Sequence, residues 1–341
     1  MNGEDLKIKL YSKLPQFLQS SVRKAKAKRI YYLLKHKFRI GYFKIILLET
    51  YSDCNRDCWF CWRKMDKSGT RKDKEGNHIR IKMPTGIVLN IIDQAYSLGY
   101  TGEIAFHLLN EPTLDDRIFA FAKYARFKGM SPSLTTNGDT FRGRNDQEYF
   151  DMITECFGKI HIGQYDFSNE NERAEDRVRL LKKLYKAKFV DFWGGERQAT
   201  IGMDKEKFEK KYGILISKLI KSAIKKPCLA PSCQLNIRYD GKIMSCCSTD
   251  EFIIGDIDKQ SIEDYWFSKK HIRLVKTLRR KGGRRQFQIC KNCPDNADFP
   301  KDIQDKIDIE KKEKKNYYYA TPLYNPQNNL NPNFKVDDKN N

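Results

Sequence analysis

The chain has 341 residues, a hydrophobic fraction of 40% and a formal net charge of +21 at pH 7. This length accommodates two domains of about 150 residues, or one larger domain with an appendage. No stretch approaches the roughly 18 uninterrupted apolar residues of a membrane span, which excludes the membrane-spanning class. The N-terminal residues lack the apolar segment of a secretory signal, so we expect a cytoplasmic protein with reduced thiols.

The first part of the chain, residues 1–42, is predicted to form a basic helical extension. Its run Ser21–Ile40 combines lysine and arginine with an apolar stripe at helical spacing. Such a helix either packs on the protein's own core or lies on a membrane or partner. The whole-chain charge favours anionic partners such as nucleic acid, although a coding bias towards lysine would produce the same excess.

Residues 43–202 alternate between strand and helix patterns. Strands are predicted at Phe43–Leu48, Ile104–Leu108, Ser131–Thr135, Lys159–Gly163 and Phe189–Trp193, with a sixth around Gln198–Gly202. The intervening helices are predicted at Thr85–Leu98, Leu114–Lys128, Asp146–Phe157 and Ala174–Lys188. Alternation of this kind is typical of βαβ units with a parallel sheet. The predicted fold class is therefore α/β, a partial (β/α) TIM-like barrel of five or six parallel strands rather than a closed barrel.

The rest of the chain differs in composition from the barrel region. Residues 203–227 are predicted to form a helical linker. Residues 228–298 are predicted to form a small α+β domain rich in cysteine, with a β-hairpin that turns at an Asp-Gly pair and an amphipathic helix over Ser261–Arg280. Residues 299–341 are poor in aliphatic side chains, so we expect this tail to be mostly disordered.

Nine of the ten cysteines are clustered, and Cys156 stands alone. Clustering in a reducing compartment indicates metal or iron–sulfur ligation rather than disulfides. The first group, Cys54, Cys58 and Cys61, has the spacing C-x₃-C-x₂-C. A structural zinc site closes with four ligands. Three thiolates can instead bind three irons of a cubane and leave the fourth iron open, so the spacing favours a catalytic iron–sulfur cluster.

This group resembles the signature of the radical S-adenosylmethionine superfamily, C-x₃-C-x-Φ-C. Phe60 occupies the aromatic position, and the group directly follows the first predicted strand. The resemblance implies a [4Fe–4S] cluster held by three cysteines, whose open iron binds S-adenosylmethionine. It further implies reductive cleavage of this cosubstrate to a 5′-deoxyadenosyl radical, which abstracts hydrogen from the substrate.

Further residues stand where the superfamily contacts its cosubstrate, each at the C-terminal end of a successive predicted strand. Barrel enzymes place their active sites at this edge. The second strand is followed by Asn-Glu-Pro where the superfamily usually has Gly-Gly-Glu, so the glycines are missing here. The resemblance assigns cofactor-binding roles to Phe60, Asn110, Glu111, Pro112, Thr136, Asn137, Gln164 and Asp166.

The second group of cysteines comprises Cys228, Cys233, Cys246, Cys247, Cys290 and Cys293. Paired cysteines that flank a hairpin could form a zinc ribbon. The run more closely resembles the SPASM/twitch module of radical S-adenosylmethionine enzymes, with a hairpin, an acidic-aromatic helix and a closing C-x₂-C. No cysteine follows the last of these, which implies the shorter twitch form with one auxiliary [4Fe–4S] cluster. The resemblance assigns as its ligands Cys228, Cys246, Cys290 and Cys293, with Cys233 as an alternative to Cys228.

The resemblance implies a radical S-adenosylmethionine oxidoreductase that passes an electron to the auxiliary cluster and acts on an alcohol or amino sugar. Arg197, with Glu196 beside it, follows the fifth strand and is the candidate base, unless this Gly-Gly-Glu-Arg segment is only an exposed turn. Predicted partners are a small-molecule or peptide substrate and a reductant such as flavodoxin or ferredoxin. Two alternatives remain open: a peptide-modifying radical enzyme, and a basic zinc protein that binds nucleic acid.

Overall fold

The computed structural model describes residues 44–56, 58, 61, 63, 71–165, 167, 169–193, 224–247, 252–291 and 293. Several predictions from the sequence fall outside these residues. They are the basic extension over 1–42, the sixth strand around Gln198–Gly202, most of the 203–227 linker and the 299–341 tail.

Eight strands in the described part of the chain form one sheet in the order β5-β4-β3-β2-β1-β6-β7-β8. The strands are β1 (Ile45–Leu48), β2 (Glu103–Ala105), β3 (Ser131–Thr136), β4 (Lys159–Gly163), β5 (Val190–Trp193), β6 (Gln234–Ile237), β7 (Lys242–Met244) and β8 (Ile253–Asp256). Strands β1 to β5 pair in parallel, as the alternating pattern predicted. The α/β partial-barrel class is confirmed.

Helices connect the five parallel strands of the barrel region, and further helices lie in the cysteine-rich region. They are α1 (Thr85–Ser97), α2 (Ile118–Phe127), α3 (Asp139–Arg142), α4 (Gln147–Cys156), α5 (Glu170–Lys183), α6 (Ala230–Cys233), α7 (Ile262–Phe267), α8 (Lys269–Leu278) and α9 (Gln288–Lys291). No helix among the described residues is both long enough and apolar enough to cross a bilayer.

Side chains alternate between the two faces of each strand. Ile46, Ile104, Leu134 and Ile160 point towards the helices and belong to the hydrophobic core. Their neighbours in sequence therefore point to the opposite face, which we call the inner face. This face carries most of the polar side chains discussed below.

The hairpin of the cysteine-rich region continues the barrel sheet. β6 pairs in parallel with β1 from Ile45↔Gln234 to Leu48↔Ile237, and β7 and β8 follow in antiparallel order. The sixth parallel strand in the described sheet thus comes from the cysteine-rich region. The domain boundaries stay a prediction, but the two regions share one sheet.

The amphipathic helix predicted over Ser261–Arg280 is two helices, α7 and α8, so that prediction is wrong in detail. Ser268 separates them with extended backbone, φ −60° and ψ 147°, and its side chain accepts a hydrogen bond from His271 N–H. Serine is a favoured helix N-cap because its hydroxyl satisfies a free backbone donor. The apolar periodicity continues across the break at Ser268, so the sequence pattern did not indicate two separate helices.

Candidate metal centre and active site

The three cysteines of the first group follow the C-terminal end of β1. Cys61 N–H donates to Cys58 O at 3.0 Å, which closes a turn between the second and third cysteines. Cys54 N–H donates to Oδ1 of Asp53 at 2.9 Å. Phe60 lies outside the described residues. The strand therefore delivers the thiols to a loop at the edge where the parallel strands end.

Burial and a nearby cation act in opposite directions on the thiols of this loop. Burial raises the pKa of Cys54 to about 12 and also raises the pKa of Cys61, while the guanidinium of Arg63 lowers both. Such thiols give up their protons at neutral pH when a metal takes the proton's place. No three His, Cys, Asp or Glu side chains among the described residues are arranged to share one metal ion. A cubane iron–sulfur cluster does not need three side chains around one metal ion, because each thiolate binds a different iron.

Two ion pairs hold the cysteine loop. Arg63 donates to Asp53 Oδ1 at 2.9 Å and to the carbonyl of Cys54 at 3.4 Å. Arg71 forms a bidentate pair with Glu49, with both N–O distances 2.8 Å, and both side chains are at most 1% exposed. Because Glu49 directly follows β1, this pair fixes the return of the loop to the sheet. The sequence motifs identified none of these four charged residues.

Glu111 is a fully hydrogen-bonded buried carboxylate in the segment that follows β2. Its oxygens accept from Thr113 N–H, Thr113 O–H, Thr136 O–H at 2.7 Å and Asn137 N–H at 2.7 Å. Its own N–H donates to the carbonyl of Asp53 at 2.9 Å. Burial raises the pKa of Glu111, and these hydrogen bonds oppose the increase. Glu111 therefore joins the loops after β1, β2 and β3.

Asn137 brings the loop after β3 to the cysteines. Its Nδ2 lies 3.9 Å from Cys54 Sγ and donates to Asn55 Oδ1 at 2.7 Å. Gly138 follows with φ +80°, and a Cβ there would lie 2.8 Å from Ile162 Cγ2. Glycine meets both demands, since it adopts positive φ without a Cβ. Two of the predicted cosubstrate residues, Glu111 and Asn137, thus lie beside the candidate cluster.

Two other predicted cosubstrate residues have side chains that are hydrogen-bonded within the protein. Asn110 Oδ1 accepts from Leu108 N–H at 3.0 Å. Gln164 donates to the carbonyl of Arg173 at 2.9 Å and to Asp176 Oδ2 at 3.1 Å, which ties the end of β4 to α5. Pro112 begins a 3₁₀ turn after Glu111. Asp166, Glu196 and Arg197 lie outside the described residues.

Tyr165 is a site residue that the sequence motifs did not single out. Burial raises the pKa of its phenol, and nearby Cys58, Glu111 and Cys61 add to the increase. A Cβ on Gly163 would lie 2.3 Å from Tyr165 Cε2, so the glycine at the end of β4 makes room for the ring. In the sequence, the signal for Tyr165 was Gly163, a glycine at the end of a predicted strand shortly before an aromatic residue.

The auxiliary site brings together cysteines from both ends of the cysteine-rich region. Burial raises the pKa of Cys290 to about 11, and the proximity of Cys228 adds to the increase. Cys228 N–H donates to the carbonyl of Leu278 at 2.7 Å, at the end of α8. Cys233 Sγ instead lies 3.7 Å from the hydroxyl of Ser232. The proximity of Cys228 to Cys290 agrees with the predicted choice of Cys228 over Cys233. The ligand set Cys228, Cys246, Cys290 and Cys293 stays a prediction.

Replacing Cys228 by alanine is expected to lower the iron content of the reconstituted protein from about eight to about four atoms per chain. Cys233→Ala is the matched control and should retain all the iron. Iron and sulfide analysis after anaerobic reconstitution measures both. Loss of iron in Cys233→Ala with full iron in Cys228→Ala would reverse the assignment.

Comparison with known proteins agrees with this geometry. The model of the SPASM family, an iron–sulfur cluster-binding domain, matches residues 228–294. The S-adenosyl-L-methionine-dependent 2-deoxy-scyllo-inosamine dehydrogenase of Niallia circulans is 24% identical over 258 residues, covering 74% of this chain and 92% of the relative. The crystal structure of BtrN in complex with AdoMet and 2-DOIA has a TM-score of 0.51 at 24% identity, with coverage of 74% and 92%. BtrN in an open conformation has a TM-score of 0.50 at 22% identity and the same coverage.

These comparisons confirm the predicted resemblance to radical S-adenosylmethionine enzymes that carry a SPASM-type auxiliary domain. The family match supports the predicted iron–sulfur cluster of residues 228–294, and the curated relative is by its name dependent on S-adenosyl-L-methionine. The fold match supports the partial barrel. The roles of individual site residues stay predictions that rest on the geometry above.

Proposed function

We propose that this chain, whose fold and iron–sulfur domain are those of radical S-adenosylmethionine enzymes, oxidises a secondary alcohol of a small hydroxylated substrate such as an amino sugar. The observation that carries the proposal is the meeting of Cys54, Glu111 and Asn137 at one edge of the sheet. When bound, the two clusters and S-adenosylmethionine supply a one-electron reductive cleavage, a hydrogen-atom acceptor and a second electron acceptor.

The protein's residues position the reactants. Glu111 and its hydrogen bonds fix the loops around the cosubstrate site, and Asn137 holds the peptide that follows β3. Buried Tyr165 helps to keep water from the thiols, and exclusion of water from an active site limits side reactions of reactive intermediates. The substrate alcohol loses a hydrogen atom, a proton and an electron to become a ketone. Arg197, with Glu196, remains the candidate proton acceptor.

The auxiliary site would hold the group that accepts the second electron. Four thiolates, from Cys228, Cys246, Cys290 and Cys293, would complete the coordination of that cluster, so it carries electrons rather than substrate. A reductant such as flavodoxin or ferredoxin supplies the first electron. We place the protein in the cytoplasm, where its clustered cysteines would stay reduced and able to bind iron.

Replacing Cys290 by alanine is expected to separate cosubstrate cleavage from product formation. The variant should still form 5′-deoxyadenosine from S-adenosylmethionine and dithionite, while formation of the ketone falls by about tenfold or more because its electron acceptor is missing. Cys247→Ala serves as the control and should retain both activities. Anaerobic assays with a panel of deuterated alcohols and amino sugars measure 5′-deoxyadenosine, its deuterium content and the oxidised product.

Transfer of deuterium to 5′-deoxyadenosine from a peptide, with none from any alcohol or amino sugar, would contradict this function. It would support the peptide-modifying alternative. About two zinc atoms per chain without sulfide would replace it by the zinc protein.

A further inference from the structure

Arg284, in the 3₁₀ turn Gly283–Gln286, is a buried arginine with unpaired donors. It is 1% exposed, and neither its Nε nor its Nη2 has a hydrogen-bond partner among the described residues. Two other fully buried arginines differ from it, because Arg71 pairs with Glu49 and Arg238 pairs with Asp240. A guanidinium keeps its charge in a protein, and an uncompensated buried charge is strongly destabilising. The two unpaired donors therefore indicate an anion beside Arg284 that is not one of these side chains.

Backbone hydrogen bonds lead from Arg284 directly to the closing cysteines. Phe287 N–H donates to the carbonyl of Arg284 at 3.1 Å, Cys290 N–H donates to that of Phe287 at 3.0 Å, and Cys293 N–H donates to that of Cys290 at 3.4 Å. Burial raises the pKa of the Cys290 thiol, Cys228 adds to the increase, and the guanidinium of Arg284 opposes it. The positive charge of Arg284 therefore acts on the thiols of the auxiliary site.

The end of α8 holds both Arg284 and the first predicted ligand in place. Gly283 packs so closely on the last turn of this helix that a Cβ on it would lie 1.9 Å from the carbonyl oxygen of Thr277. Cys228 N–H donates to the carbonyl of the next residue, Leu278, at 2.7 Å. The segment that carries Arg284 and the segment that carries Cys228 thus meet at the same helix end.

A pair of aromatic rings brings the hairpin to the same segment. Phe287 packs against Phe252, with ring centroids 5.3 Å apart. Ser245 N–H donates to the carbonyl of Phe252 at 3.0 Å, and Cys246 is the next residue. The segments that carry all four predicted ligands are therefore connected to the turn of Arg284 by direct contacts.

The unpaired atoms of Arg284 have the geometry of an anion-binding edge. Nε and Nη2 lie on one side of the guanidinium and can donate two parallel hydrogen bonds. Arg117 uses this edge on the carboxylate of Asp115, with both distances 2.9 Å. Four thiolates around a [4Fe–4S] core carry a net negative charge, which grows on one-electron reduction. The anion that fits beside Cys290 is therefore the auxiliary cluster itself.

We propose that the Nε and Nη2 edge of Arg284 donates hydrogen bonds to sulfur atoms of the auxiliary cluster and raises its reduction potential. This inference rests on the auxiliary cluster of the proposed function and does not depend on the substrate. Hydrogen bonds to the sulfurs and net charge are among the features that set the potential of such clusters. A cation stabilises the reduced, more negative state more than the oxidised state, so Arg284 makes the site a better acceptor for the electron that leaves the substrate.

A redox titration of the anaerobically reconstituted holoenzyme tests the effect on the potential. In Arg284→Met, the equilibrium constant for one-electron reduction of the auxiliary cluster should fall about tenfold, which is about 59 mV for a one-electron couple. Arg284→Lys keeps the charge and should lie between this variant and the wild type. Arg285→Met, at the exposed next residue of the same turn, is the matched control and should keep the wild-type potential.

Electron paramagnetic resonance follows the titration with and without S-adenosylmethionine. The auxiliary signal is the one that the cosubstrate leaves unchanged, because its four thiolates leave no open iron. An unchanged auxiliary potential in Arg284→Met with full iron content would overturn the proposal.

A second measurement detects the contact in the wild type and does not depend on the folding of any variant. Pulsed electron paramagnetic resonance of reduced holoenzyme, labelled with ¹⁵N in the guanidino groups of arginine, should show a nitrogen coupling to the auxiliary cluster. The coupling should persist in Arg285→Met and disappear in Arg284→Lys. Its absence from the wild type would overturn the proposal, because Arg284 would then bind some other anion. Failure to oxidise any alcohol or amino sugar would overturn the proposed function instead, and both measurements would still be interpretable.

Discussion

Replacing Cys54 by alanine is expected to reduce 5′-deoxyadenosine formation to the background level. Cys54 is the thiol that lies 3.9 Å from Asn137 Nδ2, and it supplies one of only three thiolates for its cluster. With two thiolates left, the cluster has no stable site, so iron should fall from about eight to about four atoms per chain. The auxiliary site, made from separate cysteines, should keep its iron.

The control for this experiment is Cys156→Ala. Cys156 is fully buried, and its Sγ lies 3.9 Å from the carbonyl of Phe119 in the helix layer, away from the other cysteines. That variant should retain about eight irons and full cosubstrate cleavage. Electron paramagnetic resonance of the reduced protein, with and without S-adenosylmethionine, gives an independent measurement. If Cys54→Ala kept a spectrum that still changes with the cosubstrate, the three-cysteine site would be wrong.

The sequence was sufficient to predict the features that depend on local order along the chain. The spacing of Cys54, Cys58 and Cys61 is set within eight residues, so it is visible without any fold. The parallel sheet followed from the alternation of strand and helix patterns, and the observed β4, Lys159–Gly163, has the predicted bounds. Glu111 and Asn137 could be placed at one edge because parallel strands end together.

The remaining features depend on partners that are distant in sequence. Arg71 pairs with Glu49 across 22 positions, and nothing near either residue indicates the other. The pairing of β6 with β1 joins segments almost 190 residues apart, since Ile45 aligns with Gln234. Asn236 looks like an ordinary hairpin residue in the sequence. Only the folded structure shows that its side chain is fully buried and that neither amide atom has a hydrogen-bond partner.

Replacing Arg71 by methionine is expected to be the most destabilising single change on the inner face. It would leave the carboxylate of Glu49, which is 0% exposed, without its bidentate partner. Breaking a buried pair in this way costs about 3–5 kcal/mol, which corresponds to a fall of roughly 10 °C in melting temperature. Arg71 also lies 5.3 Å from the ring centroid of Tyr239, so its loss loosens the contact between the cysteine loop and the hairpin.

The double variant Glu49→Leu with Arg71→Met tests whether the uncompensated charge is the cause. Removing both charges leaves no buried ion, so the double variant should recover most of the lost stability. Lys82→Met, at a pair whose side chains are 42% and 78% exposed, is the surface control and should cost about 1 kcal/mol or less. Thermal unfolding and iron analysis of the anaerobic holoenzymes measure the effects. A double variant less stable than Arg71→Met would show that the pair acts through its geometry rather than through charge compensation, because both hydrogen-bonding partners would then be needed to hold the loop against β1.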